Sequence, residues 1–214
     1  DFLDGRGKAQ HLGTGDGTLC CFCHCMGKGE YSIMMSDDIE RISFSAEEIR
    51  ARVQELGAQI TQDYRDAQEK VYCVGILKGA AVFFTDLVRA IDRPVNFDFM
   101  IVSSYGDAAV SSGQVKILKD LDFSIENQHV IIVEDIIDSG TTMHYLKTLL
   151  QGRHPKSIRL CAFLSKPSRR VTPVEIDYLG HEVPDEFLVG YGLDYAEKYR
   201  NLPYIGVLRR SVYE

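Results

Sequence analysis

Residues 130 to 142 read Val-Ile-Ile-Val-Glu-Asp-Ile-Ile-Asp-Ser-Gly-Thr-Thr. A buried strand runs here into two adjacent carboxylates, a third carboxylate, and a hydroxyl-and-glycine turn that opens a helix. Val130 to Val133 is a short β-branched run of the kind a parallel sheet buries on both faces. Thr142 to Gln151 follows with Met143, Leu146, Leu149 and Leu150 at helical spacing. The turn therefore joins a strand's carboxyl end to a helix's amino end, where the first N–H groups lack internal partners. Backbone N–H groups of Ser139, Gly140, Thr141 and Thr142, with the hydroxyls of Ser139, Thr141 and Thr142, suit a terminal phosphate. Glu134 and Asp135 are acceptor-only at neutral pH and suit vicinal ribose hydroxyls, directly or through a metal. The order reads as a phosphosugar site. The plainer alternative is an ordinary strand-to-helix turn with Asp138 or Ser139 as N-cap.

A chain of 214 residues, 45% hydrophobic, fits one domain with a sizeable core and a small appended lobe. No apolar run is long enough to span a bilayer. The formal charge of −7, without a clustered Lys/Arg stripe, argues against a nucleic-acid binder. A phosphorylated substrate would then need local cations, and Mg²⁺ with a few placed Lys and Arg side chains would supply them. Cys73 and Cys161 lie in apolar strand-like runs and read as buried thiols of a reduced, cytoplasmic protein. Cys20, Cys21, Cys23 and Cys25 crowd together with His24, but the separated knuckles of a structural zinc site are missing. Residues 1–33 are glycine-rich and aperiodic and read as a disordered or non-native extension. The folded domain is expected over 34–214.

Ser45-Ala46-Glu47-Glu48 is a capping-box match, followed by Ile49, Val53, Leu56, Ile60 and Tyr64 at helical spacing. Val71 to Leu77 reads as a strand, Ala80 to Ile91 as a helix, Val95 to Val102 and Val115 to Leu118 as strands, and Ser157 to Leu164 as another. Shorter strands are expected around Ile176 to Leu179, Phe187 to Tyr191 and Tyr204 to Leu208. Alternating strands and helices imply right-handed crossovers, a mostly parallel sheet, and ligands outside the strands' carboxyl ends.

The 130–142 stretch resembles the phosphoribosyl-diphosphate (PRPP) motif of the purine phosphoribosyltransferases, and the acidic pair followed by Ile-Ile-Asp resembles their hypoxanthine-guanine branch. The resemblance covers roughly residues 36 to 212. It implies a type I phosphoribosyltransferase fold of class α/β: a mostly parallel twisted sheet flanked by helices, with a small hood from the N- and C-terminal segments. It also implies a glycosyltransferase of purine salvage that joins PRPP to a 6-oxopurine base with Mg²⁺, and a homodimer or homotetramer.

Further pieces match the same family. Leu77-Lys78-Gly79 stands where its pyrophosphate loop stands, often with a non-proline cis bond at the Leu-Lys peptide, and Gly79 allows close backbone approach. Ser103 to Gly113 is small, polar and suited to a mobile lid, with Ser104 and Tyr105 as the pair that closes over the reaction centre and excludes water. The resemblance assigns Lys166 to the purine 6-oxo group, Ile136, Phe187 and the Leu188 main chain to the base, Asp194 to the metal with Glu134 and Asp135, and Arg200 to pyrophosphate. Asp138 is the implied acid/base at purine N7. One departure is Ser165, where bacterial relatives commonly show an acidic residue. Two rival readings are a phosphoribosyltransferase preferring xanthine or a pyrimidine, and an RNA-binding regulator on the same fold, which would want a basic face.

Overall fold

The computed structural model describes residues 35–104 and 115–214. Its elements are β1 (Ile39–Phe44), α1 (Ala46–Asp63), β2 (Val71–Leu77), α2 (Ala81–Ala90), β3 (Asn96–Ser104), β4 (Val115–Lys119), β5 (His129–Ile137), α3 (Thr141–Gln151), β6 (Ser157–Ser165), β7 (Tyr178–Glu182), β8 (Leu188–Val189), β9 (Ile205–Leu208) and α4 (Arg210–Tyr213). The larger sheet runs β4-β3-β2-β5-β6-β7. All its neighbours are parallel except the edge pair β3–β4. A second sheet, β1-β9-β8, is antiparallel and joins the N-terminal strand to the C-terminal ones.

Alternation along the central strands builds two cores. Ile131 and Val133 of β5 pack with Cys73, Phe83, Phe84, Leu87 and the apolar stripe Ile49, Val53, Leu56 and Ile60 of α1. Val130 and Ile132 pack on the other face with Val74, Ile76 and the Met143, Leu146 and Leu150 side of α3. Each face of the strand is thus covered by helix, which a period-2 strand with no polar residue requires. The phase then changes: Ile136 joins the first core and Ile137 the second, the reverse of strict alternation from Val133. The change falls across Glu134 and Asp135, where the strand leaves its partner β2 after Val133 pairs with Gly75.

Most expected elements form within a residue or two of their predicted bounds. The expected strand at Phe187 to Tyr191 shrinks to β8, because Gly190 and Tyr191 adopt positive φ and turn the chain. The strand expected from Ile176 begins at Tyr178, since the Asp177 carboxylate accepts the Leu160 N–H that a strand residue's carbonyl would otherwise take. Strand β1 and helix α4 gave no periodic signal; β1 exists by pairing with β9. Residues 1–34, with the four-cysteine cluster considered for zinc, and 105–114, most of the expected lid, lie outside the described residues. No helix among the described residues is long and apolar enough to cross a membrane.

Helix α1 begins with the expected capping box: Ser45 Oγ accepts the Glu48 N–H at 3.3 Å, and Glu48 Oε2 accepts the Ser45 N–H at 2.8 Å. Ser45→Ala should therefore destabilise the domain by about 1 kcal/mol. Urea unfolding should show this as a lower midpoint with an unchanged slope.

Candidate active site

A cavity of about 530 Å³ opens at the carboxyl ends of β2, β5 and β6. The β2 end contributes Lys78 and Gly79; β5 contributes Asp135, Ile136 and, just beyond it, Asp138. Lys166 and Arg169 come from the turn after β6, and Phe187, Leu188, Leu193, Asp194 and Arg200 close the far side. A larger hollow of about 590 Å³ lies against α1 and α2 and shares only Arg200 with it. Size does not choose between them. The strand-end cavity holds the converging polar groups and sits where open parallel sheets bind ligands.

Asp135 lies on its floor with Glu134 beneath, each residue only partly buried. Glu134 has its carboxyl held well above the ordinary range by burial and by the neighbouring Asp135, and its Oε2 has no hydrogen-bond partner among the described residues. Asp135 is pushed up to about 6, chiefly by burial, against the pull of the Ile136 N–H at 2.8 Å. Asp194 is close enough to raise it further, and Arg200 to lower it. Gly79 abuts this carboxylate so closely that a β-carbon there would overlap Asp135 Oδ2. The Leu77–Lys78 peptide before it is cis.

The turn between β5 and α3 is built for an anion by its backbone. Gly140 occupies the N-cap in the left-handed region (φ 83°), and α3 has no side-chain cap among the described residues. A β-carbon at Gly140 would meet the Thr172 carbonyl. The Val171 and Thr172 N–H groups both donate to the Ser139 carbonyl, at 2.9 and 3.0 Å, and Thr141 Oγ1 meets Thr172 Oγ1 at 3.2 Å. The turn is thereby strapped to the 170–172 segment; the Thr141 N–H reaches Ser139 Oγ at 3.4 Å, and the next first-turn N–H groups lack partners within the helix.

Cations reach the cavity from two sides. Lys78 Nζ lies 3.2 Å from both oxygens of Glu197. Arg200 contacts Asp194 Oδ1 at 2.8 Å, Glu197 Oε2 at 3.4 Å and the Gly192 carbonyl at 2.8 Å. One exposed carboxylate, Glu197, therefore bridges the two cations, held by its own N–H bonded to Asp194 Oδ2 at 2.8 Å. Lys166 is buried, with its N–H on the Ile137 carbonyl (2.9 Å) and its ammonium 3.6 Å from Asp185. Phe187 stacks on Tyr213 with ring centres 4.9 Å apart and meets the edge of Tyr195.

Among the residues singled out from sequence, Lys78, Gly79, Asp135, Ile136, Asp138, Lys166, Phe187, Leu188, Asp194 and Arg200 share one wall. Leu77, Glu134 and Ser139 to Thr142 sit beside or beneath it rather than on it. Ser104 ends β3, and Tyr105 lies outside the described residues. Sequence reasoning missed Arg169, Arg170, Asp185, Glu197 and Tyr213. The dipeptide Arg169-Arg170, three and four residues after Lys166, was the available signal. Arg170 donates to Ser165 Oγ at 2.7 Å and lies against Gly140, so the serine that departs from the family pattern accepts a guanidinium from behind the anion turn.

No group of three or more His, Cys, Asp or Glu among the described residues can hold an ion unaided. The pair Asp135 and Asp194, with the buried, unpartnered oxygen of Glu134 behind, still fits Mg²⁺. That ion keeps waters and substrate phosphates among its ligands and takes only one or two carboxylates.

The chain is similar to known proteins along most of its length. A family model described as the phosphoribosyl transferase domain matches residues 45–196. The hypoxanthine-guanine phosphoribosyltransferase of Bacillus subtilis (strain 168) is 54% identical over 181 residues, 85% of this chain and 99% of that protein. Among solved structures, a hypoxanthine phosphoribosyltransferase from Staphylococcus aureus superposes with a TM-score of 0.82 at 48% identity, covering 86% of this chain and 100% of that one. The Trypanosoma cruzi enzyme in complex with the product IMP gives 0.78 at 40% identity, covering 83% and 98%.

The Asp135 environment makes a stability prediction. Its folded value of about 6 exceeds the ordinary 3.8. The difference amounts to on the order of 3 kcal/mol, an upper bound because the carboxylate faces a cavity that water enters. A raised carboxyl value means the group does not oppose folding below about pH 4 and does so increasingly as pH rises to 6. Without ligands, Asp135→Asn should melt at a higher temperature than the parent above pH 6. Thermal scans should show that advantage vanishing below pH 4.

Proposed function

The chain belongs to the phosphoribosyltransferase family, in its hypoxanthine-guanine branch, and from that premise we propose how its own residues carry the reaction. It transfers the 5-phosphoribosyl group of PRPP to N9 of hypoxanthine or guanine, giving IMP or GMP and pyrophosphate. The observation that carries the assignment of parts is the single wall on which Lys78, Asp138, Lys166, Phe187 and Arg200 meet.

The 5′-phosphate rests on the Ser139–Thr142 turn, whose helix-terminal N–H groups and hydroxyls favour negative charge. Asp135 accepts from the ribose hydroxyls, and Glu134, predicted to share that role, lies behind it off the cavity wall. Lys78, the Gly79 backbone and Arg200 take the pyrophosphate, which gains charge as its bond to C1 lengthens. Phe187 lies along the base, Ile136 and Leu188 bound it, and Lys166 donates to the 6-oxo group. An ammonium there satisfies a carbonyl and repels the donor-bearing amino group of adenine.

In the transfer itself, the N9–C1 bond forms with inversion as the C1–oxygen bond breaks and its electron pair leaves on pyrophosphate. The proton on purine N7 passes to the Asp138 carboxylate. Mg²⁺ held by Asp135 and Asp194 would supply further neutralisation of the pyrophosphate.

The pairing of Glu197 with both Lys78 and Arg200 supports a role as an internal stand-in for the pyrophosphate anion. Cys73 and Cys161 are buried free thiols, which supports a reducing compartment, the cytoplasm. A homodimer or homotetramer follows from the family resemblance, and light scattering of the full chain checks it.

Incubation with PRPP, Mg²⁺ and hypoxanthine, guanine, xanthine or adenine in turn tests the function. IMP and GMP should form, and AMP should not. Asp138→Asn should lower kcat by about 10²–10⁴ with the fold intact, and unchanged turnover would reject the acid/base role. Glu197→Gln should lower the KM for PRPP by about two- to fivefold, the scale of an exposed ion pair. A raised KM would instead mean that Glu197 helps to hold substrate.

A further inference from the structure

Four charged side chains form an alternating row along one edge of the cavity. Lys166 Nζ lies 3.6 Å from Asp185 Oδ1, the same oxygen accepts Arg169 Nη1 at 3.2 Å, and Arg169 Nε lies 2.8 Å from Asp138 Oδ1. The turn that follows β6 sets the order. Pro167–Arg169 is one 3₁₀ turn with proline at its start, and its Arg169 N–H closes on the Lys166 carbonyl at 3.1 Å. Side chains three apart eclipse in such a turn, so Lys166 and Arg169 project to the same side. Asp185, from the segment after β7, is seated between them.

The contact at Asp138 has a particular character. Arg169 Nε is at ion-pair distance, yet Asp138 Oδ1 is buried without an aligned hydrogen bond among the described residues. The guanidinium therefore attracts and orients the carboxylate without saturating its oxygen. The side chain is 44% exposed although Oδ1 is covered, so the oxygen left to take a proton from the cavity is Oδ2.

We propose that Arg169 is a positioning residue for the transfer. It aims Asp138 at the base and, through Asp185, ties that carboxylate to the lysine that reads the 6-oxo group. N7 and the 6-oxo oxygen lie on one edge of a purine, so a single preassembled row meets both. The inference rests on the acid/base reading of Asp138 and the base-recognition reading of Lys166. Arg169 and Asp138 are each about half exposed, at 51% and 44%, so a substitution at Arg169 leaves folding intact.

A double-mutant cycle on the full chain tests this, with Arg169→Gln, Asp138→Asn and the double variant assayed at saturating PRPP, Mg²⁺ and hypoxanthine, and melting curves confirming the fold. Arg169→Gln should lower kcat about tenfold, the scale of a coupled pair, with the KM for PRPP within about twofold. Arg169→Lys should recover part of the loss, since it keeps the charge but not the fork. In the Asp138→Asn background, Arg169→Gln should cost less than about twofold more. Equal losses in both backgrounds, or no loss in the parent, would overturn the positioning role while leaving Asp138 as acid/base. If Asp138→Asn alone left turnover unchanged, the acid/base reading would fail first and this inference with it.

Discussion

The fold is organised around the place where β5 stops being hydrophobic. Val130 to Val133 are fully buried between helices, and the next two residues are carboxylates that the surrounding protein does not neutralise. Burying such groups is unfavourable unless cations or donors meet them. Here the compensating groups are those a bound phosphosugar and its metal would bring. The neighbourhood is shaped by that demand. Gly79 has no side chain because Asp135 fills the space, and β5 changes phase across Glu134–Asp135 to present its end to the cavity.

The same logic governs the cations. An acidic chain must assemble a polyanion site locally, and it does so with side chains that are already paired. Lys78 and Arg200 share Glu197, Arg169 shares Asp138 and Asp185, and Lys166 leans on Asp185. Asp185 is held below the usual carboxylate range by the Arg169 hydrogen bond and charge and then by the nearby Lys166 charge. Paired cations keep their geometry without substrate and avoid the mutual repulsion of a bare cluster. Exposed pairs of this kind are weak, so displacing them would cost little.

The second sheet supplies the far side of the cavity. Strand β8 is only two residues long, yet its pairing with β9 fixes Phe187 and Leu188 beside the cavity. Tyr213, from the last helix, covers the ring of Phe187, and both pack on the small cluster that includes Ile39 of β1. Behind the turn from β5 to α3, Arg170 and Ser165 join the strap from 170–172 to the end of β6. The turn after β5, Lys166 and Asp138 are thus bound into one local unit.

Local chemistry wrote much of this into the chain. The β-branched run of β5, the capping box of α1 and the apolar stripes of α1 and α3 are short-range patterns, so strand, helix and order were legible, as were the carboxylates and the glycine-hydroxyl turn. Tertiary structure alone decided the rest. Strand β1 lacks a periodic signal and exists because β9 pairs with it. Glu134 left the wall because the strand slipped phase at the acidic pair. Glu197 and Arg169 gained meaning only when segments 119 and 31 residues away in sequence put Lys78 and Asp138 beside them. A sequence records which groups are available; which charge faces which depends on chain crossings that bring distant residues within a few ångströms.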